Sequence, residues 1–433
     1  MREIIKHRIE QVRHGKVPNE YRRSRSLLFP NDWRSLPLNT ALFENKERNF
    51  NKKYSKSDVL SVSGENGIVN QIVFMGRSYA GASVDNYHIV ETGDLVYTKS
   101  PLKENPYGII KLNCGNPGIV STLYAVYHCQ KPYTAQYLDQ YFSIDCYLNN
   151  YLKPLVKRGA KNDMKVNNED VLRGHIAFPS DAEQLKIIKI LAQCDRVITL
   201  KQDLLDEKRK QKKWLMQNLL NPDSGVRLSK FKSMSWNNCT MSELGEFSKG
   251  YGISNENCLT GKIPCIKYGD IYMSFGTWFD TPVSFTETEI ADGSPFISQG
   301  TLLFTGSGED RLEIGKCTVY TGSFPIAVGG DIIIMEPNKN KVDPLFLAYM
   351  QYTKELIRQK AELCQGYSIV HIYANDIKKL TVSIPSTLEE QKAIIKTISS
   401  ADRVITLLEQ ELAAWKEKKK GLAQLLMTGL VRV

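Results

Sequence analysis

The sequence predicts two globules of α/β (α+β) type, each followed by one long helix, the whole being a duplicated half-molecule. Three observations carry this. The stretch Asp195-Arg196-Val197-Ile198-Thr199-Leu200 recurs letter for letter as Asp402-Arg403-Val404-Ile405-Thr406-Leu407, an offset of 402 − 195 = 207. Gly93–Thr98 against Gly300–Thr305, and Gly108 against Gly315, keep the same offset. Two stretches nearly free of Gly and Pro carry apolar residues at steps of four and three, the signature of one helix face close to a heptad seam. Internal repetition sets the architecture. A chain of this kind has pseudo-two-fold character and points to a partner of near two-fold symmetry.

Residues 1–24 read as an N-terminal helical segment. Ile9–Val17 is similar to the C-terminal Leu425–Val431, which places the termini near each other. Residues 25–178 form the first globule, with short β-type runs such as Ile68–Phe74 and a short helix at Tyr137–Phe142. Residues 179–222 form the first long helix. Pro179-Ser180 precedes it, Ser180 or Asp181 can cap it, Glu183 suits the positive end of its dipole, and Asn221-Pro222 stops it. Residues 230–384 form the second globule, with strands at Gly300–Phe304 and Asp331–Met335 and a helix at Leu345–Met350. Residues 385–433 form the second long helix, opened by Pro385-Ser386-Thr387 with Glu390 in the first turn and stopped at Gly429.

At 1.5 Å per residue a helix of about 38 residues is roughly 57 Å long. Helices this long and this polar on most faces pair with each other. The seam residues expected at that interface are Ile187, Leu191, Ile198, Leu205 and Leu215 on the first and Ile394, Ile398, Ile405, Leu412 and Leu422 on the second. The helices resemble each other strongly and the globules weakly, as two recognition modules with different targets on one scaffold would.

The 433 residues carry 57 Lys and Arg against 47 Asp and Glu, a net charge of +10 that favours a polyanion, nucleic acid before membrane. No run of about 18 apolar residues and no apolar signal core is present, so no membrane span and a cytoplasmic location are expected. Nine cysteines at irregular spacing, without a CxxC pair, read as reduced thiols. The six histidines are scattered, which leaves no metal-ligand spacing. Gly315-Lys316 lacks the rest of a P-loop, and Asn105-Pro106-Tyr107 lacks the second proline of an amino-methyltransferase signature. Glu44-Asn45-Lys46 is half of a nuclease pattern. No catalytic residue and no metal site is therefore assigned.

These residues match a known family. Pro179-Ser180-x-x-Glu183-Gln184 leading to Asp195, and Pro385–Asp402 with one extra residue, resemble the conserved helices of the specificity subunit of type I restriction–modification systems. So do the helix ends Lys213–Leu220 and Lys420–Gly429. Gly300–Thr305 with Gly306-Ser307-Gly308 and Ile314-Gly315-Lys316 is similar to the strand–loop–strand of that family's target-recognition domains. Gly366–Ile372 with Asn375-Asp376-Ile377 resembles the segment before the conserved helix. The resemblance implies that each globule reads one half of a split, asymmetric site in double-stranded DNA. It implies that two antiparallel helices form a coiled-coil-like spacer and dock two methylation subunits, with two restriction subunits as further partners. S-adenosylmethionine, ATP and Mg are implied for those partners, with no cofactor in this chain, which would be non-catalytic.

Candidate DNA contacts follow from donor chemistry beside the shared strand: Lys99, Ser100 and Lys103 in the first globule, Ser307 and Arg311 in the second. Lys157, Arg158, Lys161 and Lys165 form a basic run before the first long helix, and Tyr251, Lys267 and Tyr268 combine aromatic and cationic groups. Lys99-Ser100-Pro101 stands where the second copy has Gly306-Ser307-Gly308, so the two loops are expected to differ in shape. Two other classes compete. A coiled-coil scaffold whose globules bind proteins would show no salt-dependent DNA binding. A stand-alone methyltransferase or nuclease would act on DNA without partners.

Overall fold

The computed structural model describes residues 2–24, 27–158, 164–232, 234–254, 256–258 and 261–433. It divides into two compact units, Met1–Gln202 with Glu411–Val433, and Asp203–Gln410. Each unit holds one globule and part of both long helices.

In the first unit the central sheet has four strands, β1 (Leu42–Glu44), β2 (Leu95–Thr98), β3 (Ile109–Leu112) and β4 (Tyr124–Cys129), in the order β1-β4-β2-β3. Every residue of β2 is buried. Alternation explains how. Leu95 and Tyr97 face a core that includes Tyr137, Leu138, Ile187, Leu191 and Leu426, while Val96 faces a second cluster with Leu60, Val90, Val120 and Val126. Leu95, Val96 and Tyr97 make an unbroken apolar run because both faces are covered. Arg34–Pro37 pairs with His175–Phe178, and this second strand feeds the first long helix.

The second unit repeats the plan. Its central strands are β5 (Gly245–Lys249), β6 (Trp278–Phe279), β7 (Leu302–Thr305), β8 (Cys317–Tyr320) and β9 (Ile332–Pro337), ordered β5-β9-β7-β8-β6. Leu302 and Phe304 face Phe346, Leu347, Tyr349, Ile394 and Ile398; Leu303 faces Ile266, Ile326, Val328 and Ile334. Phe304 is completely buried. Phe304→Ala is therefore expected to cost about 3–5 kcal/mol, lost transfer energy plus a cavity, read as a lowered denaturant midpoint.

The expected strand over Ile68–Phe74 is corrected. A strand at Gly67–Asn70 gives way to a helix at Gln71–Met75, because the Asn70 side chain accepts from the amides of Ile72 (3.0 Å) and Val73 (3.2 Å). A cap of this kind outweighs the β preference of Ile72 and Val73. The N-terminal segment is helical only as α1 (Arg2–Arg13); Tyr21–Ser24 is a strand. In the first unit the Tyr21 hydroxyl donates to the Gly429 carbonyl, and Arg432 pairs with Asp32 (2.7 Å), so the two terminal segments meet.

The long helices are α2 (Asp181–Leu219) and α3 (Leu388–Met427). Ser180 Oγ accepts from the Glu183 amide, and Thr387 Oγ1 from that of Glu390. Glu183 and Glu390 do more than suit the dipole. Both are buried, and each accepts an indole N–H, from Trp33 (3.1 Å) and Trp236 (3.3 Å) respectively. Arg432 Nε pairs with Glu183 at 2.7 Å.

Within the first unit Asp195 pairs with Lys419 and Lys201 with Glu411, each at 2.5 Å. Within the second, Arg209 pairs with Glu409 (2.6 Å) and Lys212 with Asp402 (2.5 Å). Partner numbers fall as residue numbers rise, so the helices run antiparallel in each unit. Asp195–Lys419 and Asp402–Lys212 are the same pair moved by 207. Half-exposed pairs contribute little stability; they select register. Leu205, Ile405 and Leu412 are buried. Ile198 is half-buried. The remaining seam residues serve the globules as well: Ile187, Leu191 and Leu422 join the first core, and Ile394, Ile398 and Leu215 the second.

Candidate nucleic-acid interface

In both globules some of the candidate contacts follow the end of the buried central strand: Lys99, Ser100 and Lys103 in the first, Ser307 and Arg311 in the second. In the first, β2 ends at Thr98, paired with Tyr124 and Ile109. Lys99 follows, half-buried, and that burial pulls its ammonium below the usual lysine range, with Glu44 opposing. Ser100 is exposed, its amide donating to Thr98 Oγ1 at 3.2 Å; Lys103 is exposed in the loop beyond. The return is made by Gly108, at φ +89°, where a Cβ would lie 2.0 Å from the Thr98 carbonyl. Only glycine fits. Gly108→Ala is expected to displace the Lys99–Lys103 loop and lower the melting temperature. Thermal unfolding of the variant beside the wild type checks it.

The basic run falls on a hairpin in which Lys157 pairs with Lys165 and Arg158 with Met164. Lys161 lies outside the described residues.

In the second globule Thr305 ends β7. Ser307-Gly308 then pairs with Val370-His371, a short ladder that the Lys99–Glu104 loop does not form. The two loops thus differ in shape. The Ser307 carbonyl is held from below by two tyrosines of one helix, Tyr268–Met273: Tyr268 and Tyr272 both donate their hydroxyls to it, Tyr272 at 3.0 Å. Burial pushes the Tyr268 phenol up to about 12, so it stays a donor. Thr305 Oγ1 donates to the Tyr272 hydroxyl (3.2 Å), the Lys316 amide to Thr305 Oγ1 (3.0 Å), and Lys316 Nζ to the Tyr272 carbonyl (2.9 Å). Arg311, exposed, gives one guanidinium N–H to the Gly366 carbonyl at 2.7 Å. Lys267 is half-buried at the start of the Tyr268 helix.

Tyr251 is exposed. Gly250 donates to Ile332 and Gly306 to Asp331, so the Tyr251 and Ser307 segments leave the same end of the sheet. Sequence reasoning missed Tyr272 and Lys316. The Tyr268/Tyr272 spacing of four is the signal that could have found the first. It also missed the aromatic residues flanking the paired strand: Tyr367 is 98% exposed, Tyr373 is 57% exposed, and His371 stacks on Tyr373.

Two unlike α/β modules on a duplicated pair of long helices define a class in which one scaffold presents two different surfaces. Residues 234–416 match the family of type I restriction modification DNA specificity domains. Over 325 residues the chain is 26% identical to a Methanocaldococcus jannaschii protein named as the specificity subunit of the MjaX type I restriction enzyme, covering 70% of this chain and 69% of that one. The MjaVIII specificity subunit of the same organism is 26% identical over 275 residues, 60% of this chain and 62% of that one. Among solved structures, the S subunit of a type I restriction-modification system from M. genitalium shares the fold at TM-score 0.55 and 14% identity, across 95% of this chain and 97% of its own. A structure from work on assembly and conformational transition of a type I system does so at 0.54 and 17%, across 93% and 99%. The second globule and much of the second long helix thus match that domain family, and the chain as a whole is similar to specificity subunits of type I restriction enzymes.

Proposed function

We propose that the chain reads a bipartite, asymmetric DNA site, one half per globule, and that its helices fix the unread spacer and dock two methylation subunits. S-adenosylmethionine would be held by those subunits, and ATP with Mg by any restriction subunits that join; this chain would contribute recognition and no catalysis. One observation supports the docking most directly. In the repeated hexapeptide, Asp195 and Asp402 turn inward to Lys419 and Lys212, while Arg196 and Arg403, Thr199 and Thr406 face outward. Leu200 and Leu407 face outward with them, 58% and 54% exposed. An apolar side chain presented twice, in identical sequence, fits two copies of one partner.

The test is the mass of the complex formed on co-expression with the methylation subunit. One copy of this chain with two methylation subunits is expected. Leu200→Glu or Leu407→Glu should each remove one subunit, and the double variant both. A wild-type ratio of one to one would contradict the reading.

A further inference from the structure

In the second unit Lys360, on the helix Lys354–Leu363, is 3% exposed. Its Nζ donates to the carbonyls of Gly315 (3.0 Å) and Gln351 (3.1 Å), with no carboxylate partner among the described residues. The titratable group facing it is the buried Cys317 thiol, and the Tyr352 hydroxyl donates to the Cys317 carbonyl. Isolated charges are costly to bury, and hydrocarbon would fill the position. The corresponding helix of the first globule, Asp145–Leu152, buries Leu148, Tyr151 and Leu152 and carries no lysine.

What the ammonium holds is the base of a loop. Gly315 lies at φ +63°, and a Cβ there would come within 3.0 Å of Lys360 Cδ. The next residue is Lys316, whose bonds to Thr305 and Tyr272 lead to the Ser307 carbonyl. We propose that Lys360 is a positioning residue for the second half-site, fixing the return of the Gly306–Lys316 loop and hence the aim of Ser307 and Arg311. This rests on the function proposed above.

Burial draws the Lys360 ammonium down to about 8 from 10.5. Below that pH it is charged and its bonds to the two carbonyls are charge-assisted; above it they weaken. The unfolded chain keeps the proton up to 10.5, so this group adds stability as pH rises from about 8 to 10.5 while its hold on the loop declines. A merely structural lysine would not separate the two.

The test uses the assembled methylation complex and DNA libraries varied in one half-site at a time. Lys360→Met keeps most of the volume. It is expected to leave the melting temperature unchanged or raised, to leave first-half discrimination intact, and to lower second-half discrimination about ten-fold. In the wild type, second-half discrimination should fall between about pH 7 and 9 while first-half discrimination stays level. That profile needs no variant, so it decides the matter if Lys360→Met does not fold. Unchanged second-half discrimination in a folded variant, or a level wild-type profile, overturns the inference alone. A wild type that reads no bipartite site overturns the functional reading and the inference together.

Discussion

Exchanging residues 230–384 for the corresponding globule of a relative is expected to replace one half of the recognised DNA site and leave the other unchanged. The exchange is feasible because the chain enters and leaves this globule through neighbouring strands. Trp236–Thr240 pairs antiparallel with Thr381–Pro385, Trp236 opposite Pro385. A graft therefore has to join at one place only. The cluster around Leu303 lies wholly within the globule, while the one around Leu302 and Phe304 is shared with Ile394 and Ile398 of the long helix, so a graft has to keep apolar residues facing them. Each mismatched base pair costs about 1–3 kcal/mol, so a half-site of several bases changes preference by orders of magnitude. Methylation of a library randomised in both halves measures it. A graft that altered both halves would show that the globules do not read independently.

The second large effect concerns spacing. Seven residues added after Gln202 and seven after Gln410 lie between the ion pairs of the two units, Lys201–Glu411 and Arg209–Glu409. One heptad lengthens each helix by about 10.5 Å and turns it only ~20° from the seam, so the apolar contacts can re-form. At about 3.4 Å per base pair the preferred spacer should grow by about three, with both half-sites retained. Inserting the heptad in one helix alone puts the seam out of register and should abolish assembly. An unchanged spacer in an active double insertion would show that the helices do not set the distance.

The helices and the duplicated strand were legible in sequence because their signals are local and periodic. The Asp195–Leu200 repeat, the stepped apolar residues and the Gly93/Gly300 offset need no partner to be seen. Other features depend on residues far away in the chain. Glu183 reads as a first-turn acid until Trp33, 150 residues earlier, is placed beside it. Asn70 converts an apolar β-type run into a helix through two side-chain bonds that composition does not reveal. At the candidate interface Ser307 and Arg311 are candidates from donor chemistry alone, while the hydroxyls of Tyr268 and Tyr272 support the loop that carries Ser307. Lys360 could not be told from a surface lysine until its burial was known.

The most direct test of the central claim is methylation sequencing of DNA from cells carrying this gene intact and from cells lacking it. The account predicts methyladenine at one asymmetric, two-part site with a constant unread spacer, present in the first and lost in the second. Methylation that persists without the gene, or that follows no two-part site, would contradict it.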